Sequence, residues 1–556
     1  MCGIWGFLQL VRTTRLGVHD LIREFYKVKP RGPDRSSFIH LSRPFDMYLG
    51  FHRLAIIDPH SVSDQPFVTE YDTHTVYTMC NGEIYNYHEL IDKYDLVPKT
   101  KSDCEVIPLL YKQFGVENLV DMIEGEFACV IVDIDNSSNQ VKVCMFRDNH
   151  GVRPMFYICT DEVLAFSSTR AGLCDIVNPK SVSQFPPDKL EIFNFSTNTR
   201  VELTSHSSLE RRLFNHHIDI LITPIDSFDN ILNNIMILFK RAVVSMMHAD
   251  RPLGAFLSGG LDSSSVVSVA ANHRHLNGHS PLRTFSIGLK GGTDEKYARM
   301  VSKHCGTKHT HYKFTIEGLD KLIREVIYRI ESYDVTTVRA SMPQYLLGKK
   351  VSEDTDIKVV LIGDGSDEVT SGYLYFHNAP SPEEADQENN RLLREIHEYD
   401  VRRADRGIAS NGLEARVPFL DPSFVSYYLS IDPKLRIPIN GVEKWLLRSA
   451  FAKHDLLPEE VLWRKKEAFS DGVSSVDKSW YQIIQDTIYP DMSDEELRNE
   501  CSKYSHCPPT SKESLYYRKI FEEFFHPESE GEVKHFWLPK WCGGIQEPSA
   551  RALDIY

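Results

Sequence analysis

An apolar run that breaks at two glycines and resumes with helical periodicity constrains this chain more than any other stretch. In Leu253-Gly-Ala-Phe-Leu-Ser-Gly-Gly-Leu-Asp-Ser-Ser-Ser-Val-Val267 the pattern predicts a strand, a loop and a helix in succession. Gly259 and Gly260 lack a Cβ, so the backbone can turn sharply there and present N–H groups to an anion. Ser258, Ser263 and Ser264 add hydroxyls, and the positive end of the following helix faces the same point. No Gly-x4-Gly-Lys-Ser/Thr run occurs in the chain, so a Walker-type cradle is excluded. A glycine-rich turn that binds nothing would carry the same letters, and the remaining sequence has to decide.

The 556 residues exceed one ordinary core and fit about three domains or two large ones. A net charge of −15 opposes attraction to phosphate backbones and anionic lipid, so neither nucleic acid nor membrane is an expected partner. The start, Met-Cys-Gly-Ile-Trp-Gly, has no basic segment followed by an apolar core, and no long uncharged apolar run follows. A cytoplasmic protein is expected. Its 11 cysteines, odd in number and without a Cys-x-x-Cys pair, argue against a disulfide framework or a structural zinc site and are expected to be reduced and mostly buried.

Cys2 is the first residue with chemistry to offer. A small second residue lets the initiator methionine be removed, and the exposed α-amine, titrating near pH 8, can serve as base for the cysteine's own thiol. A buried structural cysteine is the competing reading. After it the chain reads as β-rich, with runs such as Met47–Phe51, Thr75–Met79, Phe127–Val132, Met155–Ile158 and Val163–Ser168 between turn residues. Four polar clusters interrupt them: Arg31-Gly-Pro-Asp34, His52–Asp58, Asn81-Gly-Glu-Ile-Tyr-Asn86 and Ser102-Asp-Cys-Glu105. With Cys2 they resemble the glutamine amidotransferases that use an N-terminal cysteine nucleophile. The resemblance implies that Arg53 receives the carboxylate of glutamine and that Leu54, Ala55, Ile56 and Ile57 also bind glutamine. It assigns Glu83 and Asp103 to the ammonium, and the Asn81 amide and Gly82 N–H to an oxyanion hole.

From Asn194 to Pro224 the pattern loosens into Ser/Thr/His-rich sequence with short helical pieces, and a domain boundary is expected near Thr204 to Leu213. A helical period begins at Ile231. Strands at Leu253–Leu257, Arg283–Gly288, His311–Phe314 and Lys358–Ile362 then alternate with helices at Asp294–Cys305 and Ile316–Ser332. Such alternation predicts a doubly wound parallel sheet with ligands beyond the carboxyl ends of its strands, where Ser258–Ser264, Gly288–Asp294 and Gly363–Glu368 fall. The last third reads as mainly helical. His216-His217, His273-x-His275 and His309-x-His311 have no companions at ligand spacing and are expected on the surface.

The order of a glutaminase-like start, Ser258-Gly-Gly-Leu-Asp-Ser263, Gly363-Asp-Gly-Ser-Asp-Glu368, Glu414-Ala-Arg-Val-Pro-Phe-Leu-Asp421 and Trp463–Gly472 resembles the glutamine-hydrolysing asparagine synthetases over nearly the whole chain. The glycine loop matches their pyrophosphate loop. The resemblance implies an α+β glutaminase domain of layered antiparallel sheets at 2–205, an α/β synthetase domain at 213–540 with a helical C-terminal part, and a tail at 541–556. It implies adenylation of aspartate by ATP, with Mg²⁺ and no prosthetic group, followed by displacement of AMP by ammonia. Its ATP site comprises Leu257, Ser258, Gly259, Gly260, Asp262, Ser263, Ser264, Ile287, Ile362, Gly363 and Lys466. Thr336, Arg339 and Ser341 would meet the aspartyl-adenylate, and Asp262 with Asp367 the magnesium pyrophosphate. A homodimer is left open.

Two stretches depart from the family pattern. The acid associated with adenylate formation is usually glutamate, where this chain has Asp364, one methylene shorter. Ser168-Thr-Arg-Ala-Gly172 replaces the usual Ser-Glu-x-Lys. A relative that adenylates another carboxylate or closes a ring, and a non-catalytic ligand-binding relative, are the competing readings; the Cys2 cluster speaks for an ammonia donor against the first, and the presence of Cys2 and Asp262 speaks against the second.

Overall fold

The computed structural model describes residues 1–11, 16–176, 178–196, 202–210, 227–289, 291–466 and 480–545. His216-His217, the end of the motif begun at Trp463 and the tail beyond residue 545 lie outside the described residues.

The first 210 residues form two six-stranded antiparallel sheets. One takes β1 (Gly3–Gln9), β2 (Arg35–Leu41), β3 (Met47–Arg53), β8 (Phe156–Cys159), β9 (Val163–Ser167) and β10 (Ser183–Gln184), in the order β10-β8-β9-β1-β3-β2. The other takes β4 (Phe67–Tyr71), β5 (His74–Ile84), β6 (Gly125–Asp135), β7 (Gln140–Arg147), β11 (Lys189–Ser196) and β12 (Glu202–Glu210), in the order β12-β11-β7-β6-β5-β4. Strand β6 shows why they stack. Ala128, Val130 and Val132 point into a core shared with Ile4, Leu8 and Leu49 of the first sheet. Cys129 and Ile131, on the opposite face, pack under the helix Val106–Met122, as a period of two requires when both faces are covered. The helix Val18–Lys27 closes the far side of the first sheet through Leu21 and Phe25, giving four layers.

β12 occupies sequence that reads as loose and partly helical. The domain end expected at residue 205 therefore falls inside a paired strand. Ser, Thr and His recur there because this edge strand is exposed on both faces from residue 203 to 207.

A five-stranded parallel sheet follows: β13 (Leu253–Phe256), β14 (Arg283–Gly288), β15 (Lys308–Lys313), β16 (Val359–Leu361) and β17 (Glu414–Arg416), ordered β15-β14-β13-β16-β17. The order reverses between β13 and β16, so the loops leaving these two strands open side by side at the switch point. They approach so closely that a Cβ on Gly363 would lie 2.6 Å from the backbone nitrogen of Ser263, which only glycine avoids. β17 lies in the part read as helical; three residues are too few for a strand period to show.

His309 and His311 are not surface residues. Both hydrogen-bond the hydroxyl of Ser286, and burial pushes His309 down to about 4. All 11 cysteines are free, and five of them are fully buried. Among the described residues, no helix is long and apolar enough to cross a membrane.

Candidate active sites

Cys2 sits just before β1. Its Sγ donates to the carbonyl of Leu54 at 3.6 Å, and its own carbonyl accepts from Arg31 Nε at 3.0 Å. Burial pushes the thiol up to about 11. With Met1 attached, the nitrogen of Cys2 is an amide; the free ammonium is that of Met1, which donates to the Leu413 carbonyl at 3.3 Å.

β5, which packs against β1, carries Asn81, Gly82 and Glu83. Asn81 is wholly buried, and among the described residues neither Oδ1 nor Nδ2 has a hydrogen-bond partner. Such a group is costly to leave unpaired and is rare in native cores. Glu83 is buried 3.4 Å from Arg416 Nη2, and burial followed by the nearby Asp103 raises its carboxyl well above the usual range. Asp103 accepts from the Ile84 N–H at 2.7 Å, and burial lifts it to about 6.

Arg53 departs from expectation. Nη1 donates to the His60 carbonyl and to Asp64, both at 2.7 Å, and Nη2 to the carbonyls of Ile57 and Asp58. Its fork clamps the loop that follows β3. Within that loop, the Ala55 N–H donates to Asp34 at 2.9 Å, while Leu54, Ile56 and Ile57 pack against Val359 of the parallel sheet. The apolar residues expected beside glutamine thus dock one domain on the other, because a loop with three large aliphatic side chains buries them where a second core lies within reach.

The second site opens beyond β13 and β16 as a pocket of about 260 Å³, far more than one bound water needs. Leu257, Ile287 and Ile362 form its apolar wall, with Ser258, Gly260 and Ser263 along the loop. Gly259 makes the turn at φ +84°. Ser258 Oγ accepts from the Gly260 N–H at 3.2 Å and meets the Ser263 hydroxyl at 3.0 Å, so these hydroxyls brace the loop. Gly259 and Ser264 lie behind the lining; Ser264 is fully buried.

Four charges meet on the pocket floor. Lys444 Nζ lies 2.5 Å from Asp262 and 2.6 Å from Asp367. Lys466 Nζ lies 2.6 Å from Asp367 and 3.5 Å from Asp262. Burial opposes ionisation of Asp367, yet the two ammonium groups hold its carboxyl well below the usual range. Lys444 carries no motif in the sequence, and only its return from residue 444 to the floor identifies it.

On the opposite wall, Asp364 accepts from Arg403 Nη2 at 2.5 Å and lies 3.5 Å from Gln344 Nε2. Arg403 also pairs with Asp400 at 2.7 Å. Burial raises the Asp364 carboxyl, and Arg403 pulls it back. Thr336 and Arg339 line the pocket; Arg339 also pairs with Glu513 at 2.6 Å. Ser341 does not line it: its hydroxyl donates to the Thr337 carbonyl one turn back at 2.6 Å, as a buried helical serine does when no other acceptor is near.

Comparison with known proteins agrees with this division. The asparagine synthase family model matches residues 234–392 and 379–542, and the glutamine amidotransferase domain model matches residues 1–211. The glutamine-hydrolysing asparagine synthetase of Gallus gallus is 40% identical over 573 aligned positions, covering 100% of this chain and 99% of the relative. That of Homo sapiens is 39% identical with the same coverage. The chain belongs to the family of glutamine-hydrolysing asparagine synthetases.

Proposed function

We propose that the chain makes L-asparagine from L-aspartate, L-glutamine and ATP at these two sites. The observation that carries the reading is the pairing of two unlike sites in one chain: a buried amide on β5, without a partner among the described residues and on a strand packed against the one that follows Cys2, and a floor of two lysines and two aspartates beside Asp364.

In this reading Met1 is removed, and the α-amine of Cys2 takes the proton of its thiol. The thiolate attacks the side-chain amide of glutamine. Asn81 and the Gly82 N–H steady the oxyanion. Ammonia leaves, and water cleaves the thioester to glutamate. Glu83 and Asp103 receive the substrate's ammonium. Arg53 acts on its carboxylate chiefly by holding the loop that shapes the pocket.

At the second site an aspartate oxygen attacks the α-phosphorus of ATP and the bond to pyrophosphate breaks. Lys444, Lys466 and the N–H groups of the loop at Ser258–Ser264 take up the charge on the departing pyrophosphate. Asp262 and Asp367 present hard carboxylate oxygens on one floor, a donor set that suits Mg²⁺ shared with phosphates. Bound there, Mg²⁺ would supply further charge neutralisation. Ammonia then displaces AMP from the β-aspartyl carbon.

Incubation with ATP, Mg²⁺, aspartate and amide-¹⁵N glutamine should give labelled asparagine, AMP and pyrophosphate in equal amounts, read by mass spectrometry. ADP and orthophosphate in place of AMP and pyrophosphate would overturn the adenylation. Product from another acid in a competing panel would overturn the choice of aspartate.

A further inference from the structure

The helix Asp400–Ala409 belongs to the synthetase part of the chain, yet one of its acids reaches the main chain of the residue read as the glutaminase nucleophile. Asp405 accepts from Arg31 Nη1 at 2.7 Å and Nη2 at 3.2 Å, a two-point fork in which the side chains are 1% and 3% exposed. The same guanidinium donates through Nε to the carbonyl of Cys2 at 3.0 Å. Arg153 Nη1 donates to Asp405 Oδ1 at 3.3 Å, the oxygen that also accepts from Arg31 Nη2, and Arg153 Nη2 pairs with Glu126, whose second oxygen accepts from the Val417 N–H at 2.9 Å. Each arginine comes from the first domain, and Asp405 and Val417 come from the second.

A planar fork bound at both nitrogens cannot rotate, so the direction in which Nε points is set by Asp405. That direction fixes the carbonyl of Cys2, and through it the plane of the peptide from which the cysteine side chain rises. Two and five residues back toward the start of the same helix, Arg403 and Asp400 line the adenylation pocket, and Arg403 holds Asp364. One ten-residue helix therefore bears on both sites.

The geometry points to Asp405 as a positioning residue for glutamine hydrolysis, supplied to the Cys2 site by the synthetase domain through Arg31. This rests on the reading of Cys2 as the glutaminase nucleophile. Asp405 touches no substrate; it acts by keeping Arg31, and hence Cys2, in register for attack. It follows that glutamine hydrolysis depends on the docking of the two domains, although every group that touches glutamine lies in the first.

The test is steady-state glutaminase kinetics on the full chain carrying Asp405→Asn and Asp405→Glu, beside Cys2→Ala. Asp405→Asn should lower the glutaminase kcat by about tenfold or more, the scale seen when a supporting group behind a reacting one is removed. KM for glutamine should stay within about twofold, and ammonium-dependent asparagine formation should fall less than glutamine-dependent formation. Asp405→Glu keeps the charge and should recover part of the lost kcat. An unchanged kcat in both variants would overturn the inference. So would a parallel loss of both activities with a lowered melting temperature in both variants, since that is what a merely structural residue gives. Glutaminase activity persisting in Cys2→Ala would instead overturn the nucleophile assignment.

Discussion

Around Cys2, the acids Glu83 and Asp103 are buried with Arg416 3.4 Å from Glu83, yet this one guanidinium does not offset burial and both carboxyls are raised toward neutrality. On the floor of the second pocket, Asp262 and Asp367 are interleaved with Lys444 and Lys466, and Asp367 is held ionised. The first arrangement is completed by a cation that arrives from outside, as the ammonium of an amino acid does. The second already holds its own counter-charges and can rearrange them around a polyanion, with each lysine turning from carboxylate to phosphate at small cost. Each site is charged as the complement of what it is proposed to bind, and the same residue type, aspartate, serves opposite ends in the two places.

Removing the thiol should have the largest effect. Cys2→Ala should lower glutamine-dependent asparagine formation by on the order of 10⁴-fold or more, as loss of a nucleophile does elsewhere. Ammonium-dependent formation should survive, because the thiol belongs to one site only. A folded Cys2→Ala protein that cannot use saturating ammonium would show that the two sites are not separable.

At the second site Asp364 and Lys444 hold the charge balance. Arg403 reaches the shortened acid directly at 2.5 Å, so the protein around it accommodates aspartate. Asp364→Ala should nearly eliminate aspartate-dependent pyrophosphate release while glutaminase activity persists. Asp364→Glu, pushing a carboxylate ~1.5 Å further toward Arg403, should slow synthesis about 100-fold. A faster Asp364→Glu enzyme would mark the natural residue as a defect. Lys444→Gln leaves Asp262 and Asp367 to share Lys466, and stability should drop by about 3 kcal/mol, the usual result of breaking a buried ion pair. Thermal unfolding with and without ATP reads this; an unchanged melting temperature would mean that Lys444 is not part of the floor.

Much of this was legible in the sequence, for reasons that particular residues make clear. The strand–loop–helix at Leu253–Val267 could be read because glycine, serine and periodicity all act locally. The helix Asp294–Cys305 could be read to the residue, from its acidic first turn and the glycine after its end. β17 could not, since three residues acquire a strand's hydrogen bonds only by lying beside β16. Lys444 and Arg403 were hidden for the same reason: their partners, Asp262, Asp367 and Asp364, are 182, 77 and 39 positions away in the chain, and no local pattern encodes such distances. Arg53 was legible as a functional arginine, but three of its four acceptors are carbonyls of the loop it clamps, which carry no side-chain signature. Ser341 was carried over from the family pattern, and only the helix geometry shows its hydroxyl turned to Thr337.

The smallest expected effect tests the other half of the comparison, and its sign is unusual for a buried substitution. Asp103 has a folded-state pKa of about 6 against 3.8 ordinarily, with burial as the first cause. The folded protein therefore holds a proton over a pH range in which the unfolded chain has released it. Stability attached to this group is fully present below pH ~4 and is lost as the pH rises through about 6. At pH 7 the ionised carboxylate is a burden whose ceiling is about 3 kcal/mol, from a shift of roughly two units. Asp103→Asn removes the charge and can keep an acceptor for the Ile84 N–H, although its NH₂ then needs a partner of its own. A net gain of about 1 kcal/mol at pH 7, shrinking to nothing near pH 4, should appear in thermal unfolding followed across pH, while KM for glutamine rises. An acid that weakens the fold but strengthens the hold on an ammonium is what a binding residue should be. A loss of stability in Asp103→Asn that does not vary with pH would place Asp103 among the groups that hold the fold together, and would leave the charge comparison between the two sites without its first term.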